Sequence, residues 1–242
     1  MRKKRAPRIR NRLSEQDRRE QILSGCLGEF AKKGVSVTTR DLAYAARVSE
    51  ALLFKHFPSK EDLFRSLEDR VFNMVREGGR LVDGLKPSSE SLIQMTCLTF
   101  LFLSEGLPHW KEKEMIDRVV VQSLLADGRL YRKLIPLIAS HIPFLLECRR
   151  VGERAGDYQY RATDMTNLCW FTQHLAGALQ IYAPHHSESY RGGREGAIED
   201  AIRFSLLGTG MKIEIVDKYL DYRKLRASIL RKAGAPAAKT AR

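Results

Sequence analysis

Apolar residues recur at helical spacing along nearly the whole of this 242-residue chain, while the apolar–polar alternation of a half-buried strand is almost absent. That pattern restricts the chain to an all-α fold, in which each amphipathic stretch buries one stripe against another helix. Ile22, Cys26 and Phe30 fall at i, i+4 and i+8, flanked by Leu23 and Leu27. Ser14 with Asp17 supplies the start of this first helix, and Gly34 a left-handed stop. Two very short helices are predicted next, Thr39 to Ala45 and Ser49 to His56, with Pro58 ending the second. Ser59 with Asp62 then restarts a long helix reaching about Val82, with Leu63, Leu67, Val71 and Met74 inward. Beyond the turn residues of Gly84 to Ser89, helices are predicted near 89–106, 111–126, 128–150, 161–183, 194–211 and 213–232, with a loop from Ala183 to Gly193. The expected organisation is a three-helix module over 14–65 whose last helix continues to about 82, then a helical body over 84–232. Disordered ends are expected over 1–13 and 233–242.

Charge is distributed unevenly over these parts. Residues 1–60 carry fifteen Lys/Arg against six Asp/Glu, a local +9. Residues 61–211 carry eighteen against twenty, and residues 212–242 nine against three. A basic end on a balanced body is what a polyanionic partner requires, because neutralising phosphates releases condensed counterions. The basic C-terminal end is read as a solvated tail.

Several function classes are excluded. Cys26, Cys97, Cys148 and Cys169 are far apart, without a CxxC pair, and read as small core residues of a reducing compartment. The basic start is not followed by a hydrophobic stretch and cleavage site, and the longest apolar run, about Cys97 to Leu103, is too short to span a bilayer. A soluble, cytoplasmic protein is expected. There is no nucleophile elbow, phosphate-cradling glycine loop or HExxH, and His185-His186 has no nearby carboxylate ligands at helix spacing. No enzyme activity, metal or cofactor is expected.

The segment from about Thr38 to Lys60 reads as a helix-turn-helix. Thr38 and Asp41 form a capping-box pair, Leu42 and Ala43 point inward, and Ala46 is small where the second helix crosses. Val48 plugs the turn, Ser49 caps the next helix, and Leu53 and Phe57 face inward. Helices this short are unstable alone, so the first helix and the one after Ser59 must clamp them. That leaves Glu50, Ala51, Leu52, Lys55 and His56 facing outward, the face a recognition helix presents to the major groove.

Thr38-Thr39-Arg40-Asp41-Leu42-Ala43, then Val48-Ser49, Leu53-Phe54-Lys55-His56-Phe57 and Ser59-Lys60-Glu61-Asp62-Leu63 resemble the tetracycline-repressor (TetR) family over about residues 14–65. The resemblance implies that Thr39 and Arg40 contact backbone phosphate, Arg40 or Thr39 reaching a base edge as well. It also implies that Leu52 meets thymine methyls, Lys55 meets guanine acceptors, and Lys60 binds phosphate at a helix N-terminus. Two positions depart from the family pattern. Arg47 stands at the usual turn glycine, where a left-handed conformation costs roughly 1–2 kcal/mol. Phe54 stands at a usual tyrosine and loses a hydrogen bond to phosphate of about 0.5–1.5 kcal/mol. The arm carrying Arg2, Lys3, Lys4, Arg5, Arg8, Arg10 and Arg12 is expected to compensate by tracking a minor groove.

In the body, Met165, Leu168, Thr172, Leu175 and Leu179 form one stripe, and Ala197, Ala201, Phe204, Gly208 and Met211 another. Both suit a homodimer through the helices near 161–183 and 194–211, as the resemblance also implies. Phe100, Phe102, Trp110, Phe144, Trp170 and Phe171 are candidate linings of an apolar cavity, with His141 and His174 as polar contacts. The expectation is an all-α, two-part homodimer: an N-terminal three-helix helix-turn-helix domain and a C-terminal helical dimerisation and effector domain. Its function is that of a transcriptional regulator on a near-palindromic double-stranded operator, a repressor released by a small, largely apolar ligand. The alternative is a ligand-independent DNA-binding protein that recruits a protein partner.

Overall fold

The computed structural model describes residues 14–107, 112–160 and 164–234. Among the described residues the regular structure is helical, with one isolated antiparallel bridge between Tyr158 and Met211. The helices are α1 (Glu15–Lys33), α2 (Thr39–Ala45), α3 (Glu50–His56), α4 (Lys60–Gly79), α5 (Ser89–Ser104) and α6 (Lys113–Leu125). They continue as α7 (Arg129–Ala139), α8 (Ile142–Arg154), α9 (Met165–His186), α10 (Gly193–Gly208), α11 (Ile213–Tyr219) and α12 (Tyr222–Lys232). None is long and apolar enough to cross a membrane. The chain forms two compact units. The first gathers the described residues up to Phe72 with Glu114–Arg132; the second holds Asn73–Lys113 and the residues from Lys133 onward.

In the first unit, Ile22, Leu23, Cys26, Leu27 and Phe30 of α1 are buried, as the helical stripe requires. Phe30 meets Phe64 of α4 with ring centroids 5.4 Å apart. The Cys26 thiol lies 3.5 Å from the Leu42 carbonyl, and burial pushes its pKa up to about 12. Arg70 of α4 donates to Ser24 of α1 at 3.0 Å. Arg129, the first residue of α7, pairs with the buried Glu68 at 2.7 Å and with Glu61, its guanidinium 4.9 Å from the centre of the Phe64 ring. A stretch distant in sequence is thereby tied to α4.

The second unit is built around α5. Its sequence is apolar on almost every side, and such a helix belongs at a centre. It packs against α8, α9, α10, α11 and α12. Leu92, Ile93, Cys97, Phe100, Ala176, Ile198, Ile202, Leu206 and Tyr222 are among the buried residues of this core. Arg149 of α8 pins the 157–160 segment beside the end of α10: it donates to the carbonyls of Thr209 and Tyr160 and lies 3.9 Å from the Tyr158 ring centre.

Three helix expectations change. The helix predicted over 128–150 is two, because Pro143 lacks an amide hydrogen and fits the first turn of α8 instead of a helix interior. The helix predicted over 213–232 is also two, because Asp221 caps α12 by accepting from the Lys224 amide at 3.0 Å. Helix α9 runs to His186, through the start of the predicted loop. The residues of the two proposed dimer stripes divide between core and surface. Ala197, Ala201 and Met211 lie in the core, as does Leu179, whereas Phe204 and Gly208 of the same stripe are exposed.

Candidate nucleic-acid interface

Local chemistry builds the helix-turn-helix. Thr38 accepts from the Asp41 amide at 3.1 Å while the Asp41 carboxylate accepts from the Thr38 amide, a complete capping box. Lys33 pairs with Asp41 at 2.8 Å. The Lys33 ammonium and the Thr38 hydroxyl hold the Asp41 carboxyl below its ordinary pKa. The folded chain therefore binds that proton more weakly than the unfolded chain. The contribution is present above the ordinary carboxylate range and is lost as pH falls through the depressed value. Ser49 caps α3 by accepting from the Leu52 amide at 3.1 Å. Between the two helices Arg47 has φ of 56°, the left-handed conformation that the missing turn glycine demands. The Val48 amide closes the turn on the Ala43 carbonyl at 3.0 Å.

At about 100° per residue, Glu50, Phe54, Ala51 and Lys55 occupy one continuous arc of α3, and all four are exposed. Phe54 keeps 39% of its surface accessible. Leu52 lies at the edge of this arc and is half-buried. His56 does not face outward as expected. It follows Leu53 by three residues, so it shares that residue's inward face and is only 9% exposed. Its Nδ1 is buried without a partner, and Arg19 of α1 donates to its carbonyl while lying 4.3 Å from the Phe57 ring centre. The end of α3 is thus clamped by α1, a role for Arg19 that no local motif signals.

On α2, Thr39 donates from Oγ1 to the Glu50 carboxylate at 3.1 Å, joining the starts of the two helices. Arg40 is exposed one helical turn before Tyr44, which is 87% exposed and which sequence reasoning overlooked. The available signal was its offset of four from Arg40 on a helix whose inward residues are Leu42 and Ala43. Lys60 is directed elsewhere than expected. Its ammonium donates to the carbonyls of Val35 at 2.8 Å and Val37 at 3.1 Å, which leaves one of three donors for a phosphate. The basic arm 1–13 and Trp110 lie outside the described residues.

The residues proposed for a ligand site are dispersed within the second unit. Phe100 is fully buried in the core, and Phe144 packs against the same cluster. Trp170 and His174 of α9 stack on each other with centroids 6.2 Å apart, His174 being exposed. His141 precedes α8, and a Cβ placed on Gly79 would approach its Nε2 to 3.0 Å.

Residues 22–67, which include α2, the turn and α3, match the bacterial regulatory proteins of the tetR family. Over those residues the chain is similar to tetR-family regulators. A curated relative, the nucleoid occlusion factor SlmA of Shewanella sediminis, is 32% identical over 129 residues, or 52% of this chain and 62% of the relative. The chain thus spans about three-fifths of that relative's length. Among solved structures, a TetR-family regulatory protein from Rhodococcus RHA1 superposes with a TM-score of 0.62 at 16% identity, over 81% of this chain and 98% of that one. The transcriptional regulator FadR from Bacillus subtilis, solved with stearoyl-CoA, gives a TM-score of 0.54 at 14% identity, over 78% and 98% of the two chains. These structures share the TetR fold: a helix-turn-helix followed by a helical body.

Proposed function

We infer that this chain is a sequence-specific transcriptional regulator that binds double-stranded DNA as a homodimer and leaves it when a small, largely apolar ligand binds. One observation carries the DNA reading. A seven-residue helix, clamped from behind by α1, presents Glu50, Ala51, Phe54 and Lys55 on a single exposed arc beside Arg40 and Arg47. Cations at the margins suit phosphates, and the arc between them suits base edges.

The dimer reading rests on apolar surface left open on α9 and α10. Phe171 is 62% exposed and Phe204 72%, while Ile181, Tyr182 and Gly208 are exposed on the same helices. Large apolar groups exposed together mark an association face. The ligand reading is supported by the apolar surroundings of α5 and by FadR, a structural neighbour that holds stearoyl-CoA. Ligand binding in one dimer state and DNA binding in the other would couple the two sites as a population shift. Similarity to a nucleoid occlusion factor leaves room for a second reading, a DNA-bound protein that acts without a small ligand by recruiting a protein partner. Titrating stearoyl-CoA into the protein–DNA complex separates them: release supports ligand control, and retention supports the second reading.

The decisive test is selection of bound fragments from random duplex DNA by the full chain. The expected outcome is a near-palindromic sequence with half-sites about 10 bp apart or a multiple of that spacing. Failure to enrich any sequence would overturn the regulator reading.

A further inference from the structure

A carboxylate on a DNA-reading face needs an explanation, because the phosphate backbone repels it everywhere except over a base edge that offers a hydrogen-bond donor. Glu50 is such a group. It is exposed in the first turn of α3, and among the described residues it forms no ion pair. It is also held in place: Thr39 of α2 donates from Oγ1 to one carboxylate oxygen at 3.1 Å. That contact fixes one oxygen toward α2 and leaves the other with both lone pairs available. The helix N-terminus favours a carboxylate in the first turn, and the Thr39 contact adds a fixed orientation to it.

We propose that Glu50, oriented by Thr39, reads a cytosine in each half-site by accepting from the cytosine N4 amino group. This rests on the reading of α3 as the recognition helix and names what one of its residues selects. The choice of base follows from the groups each base shows in the major groove. Guanine shows two acceptors, and thymine an acceptor and a methyl, so both leave a carboxylate unpaired. Adenine offers its N6 amino group beside the N7 acceptor, whose lone pair opposes a second carboxylate lone pair; an amide side chain suits that edge instead. Cytosine alone offers a donor with no adjacent acceptor of its own. Thr39 is the positioning residue and Glu50 the specificity residue.

The test compares sequences selected from random duplex DNA by the full-length wild type, Glu50→Gln, Thr39→Val and Thr39→Ser, followed by binding measurements on single-base variants of the selected site. In the wild type, one symmetry-related pair of positions is expected to require cytosine, replacement weakening binding roughly 5- to 150-fold. Glu50→Gln should lose that preference, with adenine gaining at the same pair and other positions unchanged. Thr39→Val should narrow the ratio between cytosine and the other bases at that pair, and Thr39→Ser should restore it. A phosphate contact or purely structural role for Thr39 would lower affinity for all sequences and leave that ratio intact. An unchanged preference in Glu50→Gln, or a uniform gain from removing a repelled charge, overturns the proposal while leaving the regulator reading standing. A wild type that selects no sequence overturns both.

Discussion

Arg47 carries backbone strain where a glycine would carry almost none. Its φ of 56° lies in the left-handed region, which costs an ordinary L-residue roughly 1–2 kcal/mol. Its amide accepts the turn nonetheless, donating to the Tyr44 carbonyl at 3.0 Å, and its side chain is exposed beside the reading arc. Retaining a cation there is sensible if the cation meets phosphate. Arg47→Gly is expected to raise folding stability by about 1 kcal/mol or less, since relief of strain is partly offset by the freer unfolded chain. It should also lower the slope of log affinity against log salt by about one. Thermal unfolding and salt titration of DNA binding check the two parts, and an unchanged slope would place Arg47 off the backbone. The conformation of Arg47 was legible in the sequence because one turn position admits few alternatives. The inward turn of His56 was less so: an ionisable residue near a helix end invites an outward assignment, while its offset of three from Leu53 decides the face.

At the scale of elements, α2 and α3 survive because α1 approaches them closely. A Cβ built on Gly25 would lie 2.7 Å from the Ala46 Cα, a contact with backbone that no rotamer change relieves. Gly28, one turn further along α1, would meet only the flexible Met115 sulfur, at 3.7 Å. The two glycines therefore make opposite predictions. Gly25→Ala should destabilise the first unit by about 1–3 kcal/mol through overpacking. Gly28→Ala should stabilise it by up to about 1 kcal/mol through helix propensity. Unfolding of the two full-length variants checks this, and equal shifts in one direction would refute the close crossing. The small residue at Ala46 was readable as a crossing point, but its partner was not. A glycine inside a helical pattern shows only its propensity cost until the opposing helix is placed. The split at Asp221 had a local signal, an N-cap residue, yet it was masked by apolar periodicity on both sides. The recruitment of Glu114–Arg132 to the first unit had no local signal, because its partners lie far earlier in the chain: Glu61 and Glu68 for Arg129, and the neighbourhoods of Gly28 and Gly34 for Met115 and Gln122.

For the whole molecule, the proposed homodimer raises the question of which apolar face of α9 and α10 meets the chain's own core and which is left for a second copy. Periodicity cannot separate the two uses, since either buries an apolar stripe at the same spacing. In the single chain Ala176, Ile198, Ala201 and Ile202 pack inward, while Phe171 and Phe204 are open to solvent. Gly177 and Gly208 carry no neighbour within 4 Å of a placed Cβ, which leaves room for another helix to approach closely. Replacing both exposed rings, Phe171→Glu with Phe204→Glu, should leave the monomer folded because neither ring supports its core. It should convert the dimer to a monomer, read by sedimentation or light scattering. Loss of the second reading head then removes avidity: affinity for the full selected site should fall roughly 10²- to 10⁴-fold, while weak binding to an isolated half-site persists. A variant that stays dimeric would place the association face elsewhere. A monomer that keeps full affinity would mean that one recognition helix suffices, against the short α3 and its few exposed side chains.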